Sequence, residues 1–412
     1  MRVAIIHYWF TTWRGGERVF EELLRLFPDA DVYAHVADQK LIDSRVPGLQ
    51  VRETWIAKLP LGRKLFRLYL PLMPMALESL DLQAYDLIIS SESGPTKGVI
   101  KRPDALHICY CHSPMRYIWD MSAQYRRNAG LLKGLFLSLI STWMRVWDVT
   151  TSMRVDAFIA NSLFVSRRIS SYYGRGSTVI HPPVRMQSVR GLCQRDRSAR
   201  NGPGEEPYYV VASELVAYKR VELAIEAAQQ LGRKLVVVGE GEQFKALKAM
   251  AGPNVHFAGR VNDDEFAGWL ANARALLFPG LEDFGIVPVE AMANGTPVIA
   301  YARGGALEYL MDGVNGVGFS TQSVDALAAA IKRFESIESK LRPEAVRASV
   351  LRFGPERFQQ QFLQVLDSLL DQRADLPRPS AAPSHPRVFP ISAALRDADI
   401  ERLPRPVLSS VP

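Results

Sequence analysis

Short apolar runs rich in Val, Ile and Ala recur along the chain at residues 3–6, 86–90, 107–110 and 157–160. They recur again at 208–212, 234–238, 255–258, 275–278 and 297–301. Each is too short for a helix and apolar at successive positions, which predicts strands covered on both faces. Between several of them lie longer stretches with apolar positions at helical spacing, such as 17–26 and 220–231. These are long enough to carry the chain from the end of one parallel strand to the start of the next. The predicted class is α/β, with parallel sheets covered on both faces.

The pattern breaks at residues 185–207, which are polar, aperiodic and contain the run Asn201-Gly202-Pro203-Gly204. This predicts a first domain over 1–187, a linker over 188–206 and a second domain over 207–354. Residues 355–372 read as an amphipathic helix. Residues 373–412 are proline-rich and read as a disordered tail. Two α/β halves leave a cleft between them, and ligands of open α/β sheets bind beyond the carboxyl ends of the strands.

Composition changes this picture little. The 412 residues are 48% hydrophobic and 23% charged, as in ordinary soluble domains. The net charge of +7 suits anionic partners without selecting one, and no basic stripe or known module points to nucleic acid. Cys109, Cys111 and Cys193 are the three cysteines. The first two lie in an apolar run and read as reduced core thiols, with no further Cys or His at metal-binding spacing. The chain starts directly on a strand and has no run of 18 apolar residues, so neither a signal peptide nor a spanning helix is expected. The expected location is the cytoplasm, on or off a membrane.

The segment 278–299 carries the most chemistry. A strand ends at Phe278, a loop carries Glu282, a helix is predicted to begin near Pro288 and close at Gly295, and another strand follows. The backbone amides around Phe284, Gly285 and Ile286 then form a helix N-terminus suited to a diphosphate. Glu290 is placed in the first turn, where it can reach the vicinal hydroxyls of a ribose or simply complement the helix dipole.

These residues resemble glycosyltransferase family 4. Glu282 and Glu290 match its E-x7-E motif, and Asp283 to Val289, Gly295 to Ala300, Gly304 to Glu308 and Asp312 to Gly316 extend the likeness. The resemblance covers residues 1–372. It implies the GT-B fold, two Rossmann-like parallel-sheet domains facing a central cleft, with helix 355–372 packing back on the first. It also implies retention of anomeric configuration and no metal or other cofactor. Glu282 would contact the hydroxyls of the sugar and Glu290 would hold the ribose.

Lys219, in Ser213-Glu214-Leu215-Val216-Ala217-Tyr218-Lys219-Arg220, reads as the point charge that meets a departing β-phosphate. The sequence departs from the family at Glu214, where an arginine usually stands, and Arg220 is the candidate to compensate. Gly239 and Gly241 follow a strand without the third glycine of a dinucleotide fingerprint; in the family such a loop lies near base and diphosphate. In the first domain, His112 ends an apolar strand and matches a family histidine that approaches the transferred sugar. Ser162 belongs to an Asn-Ser pair and is a candidate ligand residue or helix cap. Gly15 and Gly16 follow the first strand and read as an acceptor or phosphate loop, or as a tight turn.

The expected activity is transfer of a hexose from a nucleotide sugar. GDP-mannose is the first donor and a UDP-hexose the alternative; a catalytically impaired nucleotide-sugar-binding scaffold is the rival outside catalysis. Two basic and apolar stretches, 52–67 and 131–147, suit the interface of a membrane or helices packed on the sheet. With the net charge, they point to a lipid-linked saccharide acceptor at the inner leaflet, as in bacterial surface polysaccharide assembly.

Overall fold

The computed structural model describes residues 1–13, 15–123, 131–185 and 207–374. The predicted linker, Cys193 and residues 375–412 of the predicted tail lie outside them.

The strands form two sheets, parallel throughout. The first has the order β3-β2-β1-β4-β5-β6-β7, from Val3–His7 (β1), Asp31–Ala34 (β2), Val51–Glu53 (β3), Leu87–Glu92 (β4), Leu106–Cys111 (β5), Ala157–Ala160 (β6) and Thr178–Val179 (β7). The second has the order β10-β9-β8-β11-β12-β13. Its members are Tyr208–Ala212 (β8), Lys234–Val238 (β9), Val255–Gly259 (β10), Leu276–Phe278 (β11), Val298–Tyr301 (β12) and Gly316–Phe319 (β13). In each sheet the order reverses beside the first strand, which opens a crevice at the carboxyl edge next to β1 and β8.

Alternation along the strands of the second sheet shows why both faces must be covered. Tyr209, Val211, Leu235, Val237, Leu277 and Ile299 pack with helices Val221–Gln230 and Val324–Ile337. Their sequence neighbours Val210, Ala212, Val236, Val238, Leu276 and Val298 pack on the other face with helices Asp263–Asn272 and Ile286–Ala293. Each of these valine, leucine and isoleucine side chains, fully buried, contributes about 1.5–3 kcal/mol. Cys109 and Cys111 are buried free thiols in β5.

The helix Pro355–Ala374 begins against the first sheet. Phe358 packs edge-on against Tyr110 at 5.6 Å, Phe362 meets Phe27 at 6.2 Å, and Gln359 donates to Glu22 at 2.7 Å.

One feature of the first domain is ionic. Glu92 closes β4, Asp148 lies on the helix Leu131–Ser152, and Lys97 between them has no exposed side-chain surface. The Lys97 ammonium donates to Glu92 at 2.9 Å and to Asp148. Glu92 also accepts the Lys97 backbone N–H at 3.0 Å, and Asp148 accepts from Trp119 at 2.8 Å and Tyr173 at 2.9 Å. Burial pulls the Lys97 pKa down, but Asp148 and Glu92 outweigh it and raise it. One ammonium serves two carboxylates, so burial, with repulsion from Asp148, raises Glu92 to about 7 against the pull of Lys97.

Candidate functional site

The loop after β11 is shaped by close backbone packing. Gly285 has φ 90° and precedes the helix Ile286–Ala293, whose first amides have no side-chain cap. The helix thus starts two residues before Pro288, and Glu290 stands in its second turn rather than its first. The helix-dipole explanation for Glu290 weakens accordingly, since that effect fades beyond the first turn. The helix ends at Ala293, with Asn294 as cap and Gly295 following at φ 76°. A Cβ on Gly305 would lie 2.3 Å from Phe284 Cα and 2.5 Å from Asp283 O, so the loop 282–284 is pressed onto residues 304–305. Gly280 similarly admits the backbone of Lys219 at 3.1 Å.

This packing sets two charges face to face. The Lys219 ammonium pairs with the Glu282 carboxylate, both largely covered. Glu290 pairs with Arg18, from the helix Gly15–Leu26 of the first domain. Gly15 and Gly16 open that helix rather than forming a loop before it. A Cβ on Gly15 would lie 2.6 Å from Ile286 Cδ1, so the two helix N-termini approach here. The Phe284 side chain is core, against Phe353, Tyr309 and His181, so only its backbone can serve a ligand.

The other sequence candidates divide. Arg220 takes a left-handed conformation (φ 55°) and its guanidinium is engaged by Glu222. Gly239 and Gly241 have a packing reason to be glycine: a Cβ on either would overlap the carbonyl of Ser213 or Leu215. Ser162 caps the helix Leu163–Tyr173, accepting from Val165 N at 3.1 Å, and donates to Asn161 at 3.0 Å.

His112 follows β5, partly buried. Burial, with His7 adding to it, lowers its pKa to about 3, so it is a neutral hydrogen-bonding group at pH 7. A chain of polar atoms runs inward from it. His112 Nε2 and His7 Nδ1 both contact Ser91 Oγ, at 2.9 and 3.0 Å, and His7 Nε2 faces Glu17 Oε1 at 3.7 Å. A ring lone pair would be repelled by that carboxylate, so the His7 proton belongs on Nε2. Ser91 then donates to His7 Nδ1 and accepts from His112 Nε2–H. This leaves His112 Nδ1 as an acceptor. Nitrogen-15 spectra are expected to show His112 protonated on Nε2, and His7→Phe to mix its tautomers. Protonation on Nδ1 in the unaltered protein would overturn the assignment.

Sequence reasoning missed the arginines. Arg168 Nη1 donates to Ser113 at 2.9 Å and to Asp283 at 2.7 Å, joining the neighbour of His112 to the neighbour of Glu282. Its Nη2 donates to Asp120 at 2.6 Å. Glu308 accepts from Leu163 N at 2.7 Å and contacts His181 at 2.6 Å, a second tie between the domains. An Arg-Arg pair on a surface-like helix gives no sign of such roles. Among the described residues no group of three or more acidic, His or Cys side chains could hold a metal.

Residues 13–188 match the family described as Glycosyltransferase Family 4, and residues 194–352 match Glycosyl transferases group 1. The chain belongs to glycosyltransferase family 4. Among curated family-4 relatives, a GDP-mannose-dependent alpha-(1-6)-phosphatidylinositol monomannoside mannosyltransferase of Mycolicibacterium smegmatis is 31% identical over 194 residues, 41% of this chain and 51% of that protein. A glycogen synthase of Mycobacterium tuberculosis is 33% identical over 253 residues, 56% of this chain and 60% of that one. The match thus spans between half and two thirds of these relatives' length. Among solved structures, Anabaena HepE in complex with UDP-glucose aligns with a TM-score of 0.65 at 20% identity, covering 89% of this chain and all of that one. Sucrose-phosphate synthase from Thermosynechococcus elongatus aligns with a TM-score of 0.66 at 18% identity, covering 90% of this chain and 100% of that one. These likenesses show the fold: two Rossmann-like domains of the GT-B kind.

Proposed function

We propose that this chain is a retaining hexosyltransferase that moves a sugar from a nucleoside diphosphate onto a lipid-linked saccharide without a metal ion. The observation that carries the reading is the Lys219–Glu282 pair beside the uncapped N-terminus of the helix Ile286–Ala293. A cation and free backbone amides suit a diphosphate, and a neighbouring carboxylate suits sugar hydroxyls.

In the proposed reaction the bond from C1 to the β-phosphate oxygen breaks, and the acceptor oxygen bonds to C1 on the same face. The acceptor's proton passes to the departing diphosphate. Lys219 and the amides of Ile286 and Val287 stabilise the charge that develops on that group. Glu282 and the neutral His112 orient the hexose, and Glu290 is assigned to the ribose once Arg18 releases it.

GDP-mannose is the first donor, supported by the mycobacterial mannosyltransferase likeness; a UDP-hexose is the second reading, supported by the UDP-glucose complex of HepE. For the acceptor, the support is a surface. Leu61 (64% exposed), Leu65, Leu68 (73%), Leu72 and Met75 stand out beside the exposed Lys58, Arg63, Lys64 and Arg67. Ile56 and Phe66, which the sequence counted toward a membrane face, are core. On the helix Leu131–Ser152, Leu139, Trp143, Val146 and Val149 form a second exposed stripe, while the side chains of Lys133, Phe136 and Leu137 lie outside the description. No helix among the described residues is long and apolar enough to cross a membrane, so the proposed contact is peripheral, on the inner leaflet.

Purified protein is expected to consume one donor among GDP-mannose, UDP-glucose, UDP-galactose and UDP-N-acetylglucosamine when membrane extract is added, with EDTA present. Binding without consumption under every acceptor condition would favour the scaffold reading, and loss of consumption in EDTA would refute metal independence.

A further inference from the structure

The segment His112-Ser113-Pro114-Met115-Arg116 brings a second cation to the Lys219 loop. Arg116 Nη1 is 3.8 Å from Asp283 Oδ2, and Nε is 3.9 Å from Asp120 Oδ2. Both separations exceed hydrogen-bond reach. Both carboxylates already accept from Arg168, at 2.7 and 2.6 Å. Arg116 Nε is buried and has no hydrogen-bond partner among the described residues. A buried, unmatched N–H is costly unless a ligand completes it.

The position of this guanidinium narrows the ligand. Its carbon lies 5.3 Å from the centroid of the Tyr218 ring, and the Lys219 ammonium lies 5.2 Å from the same centroid. Two cations, from the first and second domains, therefore share one aromatic ring beside the loop 282–283. The other arginines of the region are committed, Arg18 to Glu290 and Arg220 to Glu222. A cation–π contact holds a guanidinium over the ring without using its N–H donors, which remain for a bidentate anion such as a phosphate.

We propose that Arg116 contacts the donor, completing with Lys219 a two-cation grip on its diphosphate, so that this group is held from both domains. The inference rests on the assignment of Lys219 to the diphosphate. A grip spanning the domains would couple donor binding to the contact between them, whereas a purely structural Arg116 would not distinguish ligands by phosphate content.

The test is calorimetric titration of the full chain with GDP and UDP, and with guanosine and uridine as phosphate-free controls. Proteins compared are the unaltered chain, Arg116→Met, Arg116→Lys and Lys219→Ala. Arg116→Met is expected to weaken the bound diphosphate about 10- to 100-fold, the loss typical of a charged hydrogen bond, with binding of the matching nucleoside unchanged. Arg116→Lys is expected to recover part of the loss. Unchanged nucleoside binding also certifies that the variants fold. If Arg116→Met binds the diphosphate normally while Lys219→Ala does not, Arg116 is no ligand and the Lys219 assignment stands. If Lys219→Ala also binds normally, that assignment falls and the grip with it. Equal weakening of diphosphate and nucleoside by Arg116→Met would mark a structural role and overturn the proposal.

Discussion

Lys219→Ala is expected to lower kcat by about 10²–10³, the range found when one preorganised group that stabilises developing charge is removed. The expectation follows from the geometry of the resting pair. Lys219 and Glu282 neutralise one another in a largely covered position. In the proposed mechanism a diphosphate arriving with its own negative charge competes for the ammonium and frees Glu282 for the sugar. Lys219→Ala removes the cation when charge on the leaving group is greatest, so kcat falls more than KM rises. Glu282→Ala leaves an unpaired lysine and is expected to lower turnover as well. The double variant should be less impaired than the product of the two single losses, because the residues act on one event. Steady-state kinetics of the three variants with the consumed donor measures this; normal turnover in both single variants would remove both residues from the mechanism.

The largest expected effect on stability lies elsewhere, at Lys97. Lys97→Met should destabilise the fold by about 3–5 kcal/mol, the loss typical when one partner of a buried ion pair is deleted. Here the deletion strands Glu92 and Asp148 together, each without exposed side-chain surface. The effect carries a sign in pH. The Glu92 carboxyl is raised by burial from 4.5 in the open chain to about 7 in the fold. A raised pKa favours the fold below the unfolded value, and that contribution is lost as pH rises through the folded one. Without Lys97 the Glu92 pKa must climb further. The variant should therefore lie nearest the unaltered protein around pH 5 and fall furthest behind around pH 8. Urea denaturation at both pH values checks this; an equal deficit at each would show that Glu92 does not take up the proton.

Much of the fold was legible because strands buried on both faces must be apolar at nearly every position. Runs such as 234–238 and 297–301 stand out for that reason, and the order of strands and crossovers then leads to two parallel sheets. Four strands escaped: β2, β3, β7 and β13. Asp31–Ala34, Val51–Glu53 and Thr178–Val179 are short and carry polar residues. Gly316–Phe319 contains two glycines, which interrupt its apolar run, although Gly316 lets the strand approach Val298 O.

At the site, the frame around Glu282 and Glu290 was legible because proline, glycine and strand residues punctuate it. The partners of those glutamates were not. Arg18 lies 272 positions from Glu290, and Arg168 lies 115 from Asp283. Nothing local marks either arginine, since only the meeting of two separately wound sheets makes it a neighbour. The exposed apolar surface shows the same limit: basic and apolar residues were visible at 52–67, but which leucines point outward depends on short turns that periodicity does not resolve.

The return of the helix Pro355–Ala374 to the first domain bears on how donor and acceptor preference can be exchanged between relatives. Each sheet is drawn from one continuous stretch of chain, which invites hybrids made by a single join near residues 188–206. Phe358, Gln359 and Phe362 would then arrive from the wrong parent to meet Tyr110, Glu22 and Phe27. A hybrid that keeps these helix contacts native needs a second join just before Pro355, so that the second domain is transplanted as an insert and the helix stays with the sheet it packs on.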